Sequence, residues 1–353
     1  MAELNNIIFL IVLISFSYFS TKYLLLNFKN SKNKLLTDDQ FNKPQAFHEK
    51  SIHRLGGITI FLSLVLVFLY LFFFKNIFLF EYISFCTLFF ILGLVDDLKI
   101  NIRPKFRLLI MIGLLIILVI KNDFYIEKSG LNFLNNLLET DIFALIFICI
   151  CFLFIINGSN LIDGFNGLLA IHTLIIFIVL FLINFINGNS DLSYMLFFVV
   201  WPILIFLKFN FPKAEIFLGD SGAYLLGSFV AISVIYSSKL NPSISPFFFC
   251  VLLFYLFFEV FFSFFRKIFV VKQSPLLPDK QHLHMFFYKY FLKKNKNKLI
   301  SHYKVSIYIN AIYLLLIIPA IIFLKDGLFC RYYFFSLLIL YIYFYKKLYK
   351  MVK

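Results

Sequence analysis

The sequence predicts an all-α integral membrane protein of about eleven transmembrane helices, N-terminus outside and C-terminus cytoplasmic. Three observations predict it. First, 62% of the residues are hydrophobic and 14% charged, with a mean hydropathy of +0.92. A soluble chain is nearer half apolar and a quarter charged. Second, the apolar residues form runs of about 15–22, the length of a helix crossing a hydrocarbon core of roughly 30 Å. The alternating ten-residue segments of a β-barrel are not found. Third, the basic residues are one-sided.

In order, the spans lie near 7–26, 55–74, 78–95, 106–120, 142–156, 167–186, 192–208, 223–238, 245–265, 305–324 and 330–346. The first, Ile7–Leu26, has neither a basic leading segment nor a small-residue cleavage site, so it reads as a helix rather than a signal peptide. An odd count puts the termini on opposite sides. Of the 33 Lys and Arg, all but Lys75, Lys121, Lys128, Lys239, Lys325 and Arg331 fall on the C-terminal side. By the positive-inside rule that side is cytoplasmic. The chain is then one polytopic domain over 1–353, with cytoplasmic loops near 27–54, 96–105, 157–166, 209–222 and 266–304. Every polar motif falls on this face.

The net charge of +15 would suggest nucleic acid in a soluble protein. In a membrane protein it marks orientation, and no nucleic-acid partner is expected. Cys86, Cys149, Cys151, Cys250 and Cys330 sit in or beside apolar runs without metal-ligand spacing and read as packing residues.

Asn157–Gly167 reads Asn-Gly-Ser-Asn-Leu-Ile-Asp-Gly-Phe-Asn-Gly between two hydrocarbon runs. Backbone that leaves the helix near a bilayer needs protein or a watery cavity around it, and an acid at that depth needs a partner. Amides, one acid and glycines suit a ligand cradle better than a plain loop. Asn160, Asp163 and Asn166 recur every three residues, which would put them on one helical face, although the glycines argue that only part of the stretch is helical.

Four other stretches carry chemistry. His48–Gly57 leads into the second span, where Gly56 and Gly57 let backbone approach a ligand closely. The third span ends in Asp96-Asp97, then Lys99 and Arg107. Adjacent acids there repel and lose hydration, so they want basic partners or a Mg²⁺, which usually brings phosphates with it. The basic pair suits those phosphates. Glu215–Gly227 opens the eighth span with Gly219-Asp220-Ser221-Gly222, a helix start that offers N–H groups to an anion. Asp220 reads there as an N-cap or a metal ligand, and Phe217 as a ring to stack on a base. Ser274–His284 carries Asp279, His282 and His284; their spacing is weak for zinc and better fits histidines facing a pyrophosphate. His172 and His302 read as structural.

Together these motifs resemble the bacterial polyprenyl-phosphate N-acetylhexosamine-1-phosphate transferases. That family includes the enzymes starting O-antigen, enterobacterial common antigen and teichoic acid chains, and the translocase of peptidoglycan synthesis. The resemblance covers nearly the whole chain. It rests on an Asp-Asp pair (Asp96-Asp97), Asn-x-x-Asp-Gly-x-x-Gly (Asn160–Gly167), Gly-Asp-x-Gly-x-x-x-x-Gly (Gly219–Gly227) and Asp-x-x-His-x-His (Asp279–His284), in that order. It implies a multi-pass protein of the bacterial inner membrane, active site facing the cytoplasm.

The resemblance also implies roles. Asp220 is similar to the Mg²⁺-ligating acid, with Mn²⁺ able to substitute, and Phe217 to a residue stacking on uracil. Asn160 would stand near metal and pyrophosphate, and Asn166 near the base. Asp96 and Asp97 match acids assigned to catalysis or to the lipid phosphate. Asp163 joins them as a catalytic candidate. Lys99, Arg107, His282 and His284 would hold phosphates, and Arg54 lies in an element beside the nucleotide. The chain departs from the pattern at Met285, where many members have another His, which argues against the translocase branch. Asn166 stands where many have Asp, and His53 where Pro is common.

The expected reaction passes a sugar-1-phosphate from a UDP-N-acetylamino sugar to undecaprenyl phosphate, releasing UMP. One acid of the Asp96/Asp97 pair would deprotonate or align the lipid phosphate, and a two-step route through an aspartyl-phosphate stays open. A transporter would place polar sites at the midplane in paired halves. A membrane prenyltransferase would show two Asp-x-x-x-Asp segments. Neither pattern is present. A homodimer is compatible with the sequence, which does not identify the sugar.

Overall fold

The computed structural model describes residues 2–30, 36–38, 51–100, 102–275 and 280–353, about four-fifths of them helical. His48 and Asp279 lie outside the described residues. The helices are α1 (Ala2–Asn30), α2 (Gly56–Lys75), α3 (Phe80–Asp97), α4 (Pro104–Asn122), α5 (Asn132–Leu138), α6 (Asp141–Ile162) and α7 (Leu168–Ile186). They continue as α8 (Ser190–Asn210), α9 (Gly219–Leu240), α10 (Pro246–Leu252), α11 (Phe254–Phe265) with a π-helical turn over Arg266–Val271, α12 (Leu283–Asn295), α13 (Lys298–Ile322) and α14 (Gly327–Val352).

Eight of these are long and apolar enough to cross a membrane, nine if α10 and α11 count as one bent span. The two remaining expected spans, 78–95 and 106–120, fall on α3 and α4. Glu81, Asp96 and Asp97 on α3, and Lys105, Arg107 and Lys121 on α4, give each more charge than a plain hydrocarbon span carries. They are the spans that hold the first acidic motif and its basic companions.

The predicted ninth span is not one straight helix. It bends by 74° between α10 and α11. A break of this kind frees backbone carbonyls, which in lipid must find a donor within the protein. Here the Tyr313 hydroxyl of α13 donates to the Leu252 carbonyl at 2.6 Å. The expected loop over 266–304 also holds structure, because α12 folds back between α13 and α14.

The core is organised around α9, the most deeply buried span. α3, α6, α2 and α7 pack against it. Close packing in a membrane relies on small residues that let backbones meet. A Cβ on Gly93 of α3 would run into the backbone of Asp220 and Ser221, and one on Gly57 into Gly222. Gly57 was expected to admit a ligand; what approaches it instead is α9.

A small sheet completes the fold. β1 (Thr37–Asp38) pairs antiparallel with β2 (Ile52–Arg54), which pairs parallel with β3 (Ile216–Phe217). Its register sets Arg54 opposite Phe217. At the far end of the bundle, Asn184, Asn189, Asn241 and Ser237 form an uncharged hydrogen-bonded latch between α7, α8 and α9.

Candidate active site

Successive residues on a helix point about 100° apart, so Asp96 and Asp97 at the foot of α3 find different partners. Asp97 is 1% exposed. Its carboxylate accepts the backbone N–H of Asp220 at 3.0 Å and of Ser221 at 2.9 Å, and Nη1 of Arg54 at 3.2 Å. Asp96 accepts Nη1 of Arg107 at 2.7 Å. Each acid thus has its own guanidinium, which relieves their mutual repulsion. Lys99 is exposed at the turn just beyond, in the left-handed region at φ 59°.

The start of α9 was expected to offer its N–H groups to a ligand anion. Two of them hold Asp97 instead. The close fit of α3 on α9 brings that carboxylate to the helix N-terminus, where the macrodipole favours negative charge. Gly219 is required here: its φ is +77°, and a Cβ would lie 2.6 Å from Asp97 Oδ2.

Arg54 also gives Nη2 to Asp38 at 2.7 Å. Burial works against its charge, but the carboxylates of Asp220, Asp38 and Asp97 outweigh that and raise its pKa, so the guanidinium stays charged. Beside Arg54 in the sheet, Phe217 is half-buried at the edge of the acidic group.

The end of α6 brings in the second motif. Asn160 Nδ2 donates to Asp220 Oδ1 at 2.8 Å. Asp163, half-buried just past the helix, feels both Asp220 and Asp97. Loss of hydration, then the repulsion of those two acids, pushes its carboxyl well above the usual carboxylate range, with Arg54 opposing. The acids outnumber the two guanidiniums. Among the described residues no three of His, Cys, Asp and Glu are close enough to hold a metal ion unaided. The donors are oxygens in negative excess, which fits an ion such as Mg²⁺ that completes its shell with substrate phosphates and water.

Beyond Asp163 the chain is pinned from three sides. Ser306 Oγ of α13 donates to the Asn166 carbonyl at 2.6 Å, and Asn310 Nδ2 to the Leu168 carbonyl at 3.1 Å. Asn210 accepts from the Gly167 N–H at 2.7 Å and donates to the Ile216 carbonyl at 2.8 Å. The Asn166 side chain, expected near a base, gives its Nδ2 to the Pro212 carbonyl at 3.0 Å. It therefore ties this loop to the segment between α8 and β3.

His282 and His284 stack face to face, ring centres 5.3 Å apart and 6° from parallel. The residue that orders them was not foreseen. Glu259 of α11 is 1% exposed; its Oε2 lies 3.2 Å from His282 Nδ1, and its Oε1 accepts the Leu283 N–H at 3.2 Å and lies 4.0 Å from His284 Nδ1. A signal for it existed, because it is the lone acid in the apolar run 245–265, and an ionisable residue inside a membrane span is a functional candidate by default. Asp38 was also missed, in a segment with no motif. Phe165 packs on His284 with ring centres 5.7 Å apart and on His302 at 4.7 Å, joining the histidines to the Asp163 loop. His172, buried in α7 with its Nδ1 3.2 Å from Asn310 Oδ1, has the expected structural place.

A sequence model of glycosyl transferase family 4 matches residues 79–238, the stretch from α3 through α9 that supplies Asp96, Asp97, Asn160, Asp163 and Asp220. The chain is 33% identical over 284 residues to a phospho-N-acetylmuramoyl-pentapeptide-transferase of Dictyoglomus turgidum, covering 77% of this chain and 88% of the relative. It is 28% identical over 244 residues to an undecaprenyl-phosphate alpha-N-acetylglucosaminyl 1-phosphate transferase of Thermotoga maritima, covering 68% and 69%. A probable undecaprenyl-phosphate N-acetylglucosaminyl 1-phosphate transferase of Bacillus subtilis is 29% identical over 243 residues, covering 67% and 66%. The relatives thus include the branch that Met285 argues against, and these matches do not separate the two. The four motifs, the polytopic helical fold that gathers them and these matches agree: the chain belongs to glycosyl transferase family 4, whose members are phosphotransferases.

Proposed function

We propose that the protein transfers a sugar-1-phosphate from a UDP-N-acetylamino sugar to undecaprenyl phosphate, releasing UMP, as the first step of a cell-surface polysaccharide. The observation that carries this reading is the gathering of Asp96–Arg107, Asp97–Arg54, Asn160–Asp220 and Asp163 at one end of the helix bundle. The basic residues of the adjoining segments make that end cytoplasmic in the proposed topology, in the plasma membrane of a bacterium.

The chemistry is the attack of a lipid phosphate oxygen on the β-phosphorus of the nucleotide sugar. The new P–O bond forms as the bond from the β-phosphorus to the bridging oxygen breaks, and that oxygen leaves with UMP. Mg²⁺, held by Asp220 and Asn160 and replaceable by Mn²⁺, would supply neutralisation of the pyrophosphate charge. Asp96 is the more accessible of the pair, its side chain 10% exposed against 0% for Asp97, and among the described residues it meets Arg107 alone. It aligns the acceptor phosphate and takes its proton. Asp97, engaged by three donors, fixes the frame. Asp163 faces the same charges, and Lys99 stands at the rim toward incoming phosphates. His282 and His284, oriented by Glu259, hold donor phosphate oxygens, and Phe217 beside Arg54 offers a ring to uracil.

The test is UMP release by purified protein given undecaprenyl phosphate, Mg²⁺ and a panel of UDP-N-acetylamino sugars that includes the muramoyl-pentapeptide form. Lipid-dependent UMP from one donor, lost in Asp220→Ala, supports the reaction and names the sugar. Folded protein that releases no UMP from any donor would sink it.

A further inference from the structure

Tyr224 lies one turn beyond Asp220 on α9, on the same face, and its side chain leans back over the turn that carries Asp220. It is fully buried, and its hydroxyl finds no hydrogen-bond partner among the described residues. A buried phenol normally finds a partner. The charged groups acting on this one are Asp220, Arg107, Asp96 and Asp97. Arg107 is equally underused: of its five N–H donors, only Nη1 reaches an acceptor among the described residues, Asp96. Two neighbouring donor groups with N–H and O–H to spare, among acids that offer no proton, describe a place for an anion with several oxygens.

Arg107 sits on the first turns of α4, between Phe106 and Leu109, which are 59% and 63% exposed. On a membrane helix these residues face lipid. An anion reaching Arg107 from that side arrives on an apolar tail. We propose that the Tyr224 hydroxyl and the Arg107 guanidinium together hold the phosphate of the prenyl acceptor, with Tyr224 as its hydrogen-bond donor. This rests on the phosphotransfer reading above. None of the sequence motifs assigns Tyr224 a role.

Tyr224→Phe removes only the hydroxyl and keeps the buried ring. Losing one hydrogen bond to a charged phosphate raises the KM for undecaprenyl phosphate about tenfold, leaves the KM for the UDP-sugar within about twofold, and leaves the melting temperature unchanged. A second arm does not depend on turnover: binding of farnesyl phosphate in detergent, followed by thermal shift, weakens about tenfold in the variant, with inorganic phosphate as the tail-free control. A variant that binds farnesyl phosphate like the parent overturns the proposal. A shift in donor KM alone, or equal loss for inorganic phosphate, overturns the assignment to the lipid acceptor. Parent protein that binds farnesyl phosphate through Tyr224 but releases no UMP would sink the reaction while upholding this contact.

Discussion

The carboxylate of Asp97 on α3 accepts the backbone N–H of Ser221 on α9 at 2.9 Å, with the amide of Asp220 alongside at 3.0 Å. Two acids that look alike in sequence are divided by this contact. Asp97 is enclosed and triply bonded; Asp96 meets a half-buried arginine.

Alanine substitutions therefore separate them. Asp97→Ala leaves Nη1 of Arg54 and two buried amides without their acceptor, and the cost is about 3–5 kcal/mol, read as a fall in melting temperature in detergent. Asp96→Ala leaves Arg107, which still reaches water, without its acceptor and lowers stability by about 1.5–3 kcal/mol, less than Asp97→Ala, yet cuts UMP release about 100-fold or more. Equal stability losses would overturn the division.

Removing divalent cations with a chelator abolishes UMP release, and Mg²⁺ or Mn²⁺ restores it. In Asp220→Ala restoration fails at any Mg²⁺ concentration, and in Asn160→Ala it needs roughly tenfold more Mg²⁺, on the scale of losing one ligand or its partner. Unaltered Mg²⁺ dependence in Asp220→Ala would remove this residue from the metal site.

Asp163 supplies a pH signature. Its carboxyl is raised in the folded protein by burial and by Asp220 and Asp97. A raised acid favours the fold while protonated, so its contribution is complete at low pH and is lost as pH climbs above the ordinary carboxylate range of about 4 through the raised value. Cation-free protein should gain thermal stability from pH 8 toward mildly acidic pH by more than Asp163→Asn does, and Mg²⁺ should recover part of the gain at high pH. Identical pH–stability curves for the two proteins would disprove it.

Glu259→Gln tests the support behind the histidines. The amide keeps size but replaces one of the two carboxylate oxygens that meet His282 Nδ1 and the Leu283 N–H. Turnover should fall about 10–100-fold, the loss usual when a residue orienting a ligating histidine is removed. A variant with unchanged rate would leave Glu259 a packing residue.

Much of this was legible in the sequence because membrane chemistry is sparse. Ten of the expected spans each fall on a single helix and the ninth in order on the bent pair α10 and α11, because hydrocarbon leaves backbone few alternatives. Asp96, Asp97, Asn160, Asp163 and Asp220 announced themselves by interrupting apolar runs. Their pairings did not. Nothing local says that Asp97 reaches across to another helix while Asp96 turns to Arg107, since that depends on how closely Gly93 lets α3 approach α9. The bend at Leu253 was hidden because α10 and α11 are equally apolar, and its remedy, Tyr313, lies 61 residues away. Glu259 was visible as a lone acid but belonged to no motif. The Asn166 contact with the Pro212 carbonyl was not legible either, because spacing tells which face a residue takes and not which neighbour it meets.

Gly93 has a consequence for motion. With no room for even a methyl group between α3 and the backbone of Asp220, the acid pair and the Asp220 turn travel as one body. The same holds at Gly158 of α6, where a Cβ would run into the Leu256 carbonyl of α11, so the helix that carries Glu259 is fixed to this body as well. What the ring contact of Phe165 with His284 joins to it is α12, and closing on the substrates falls to that helix and its histidine.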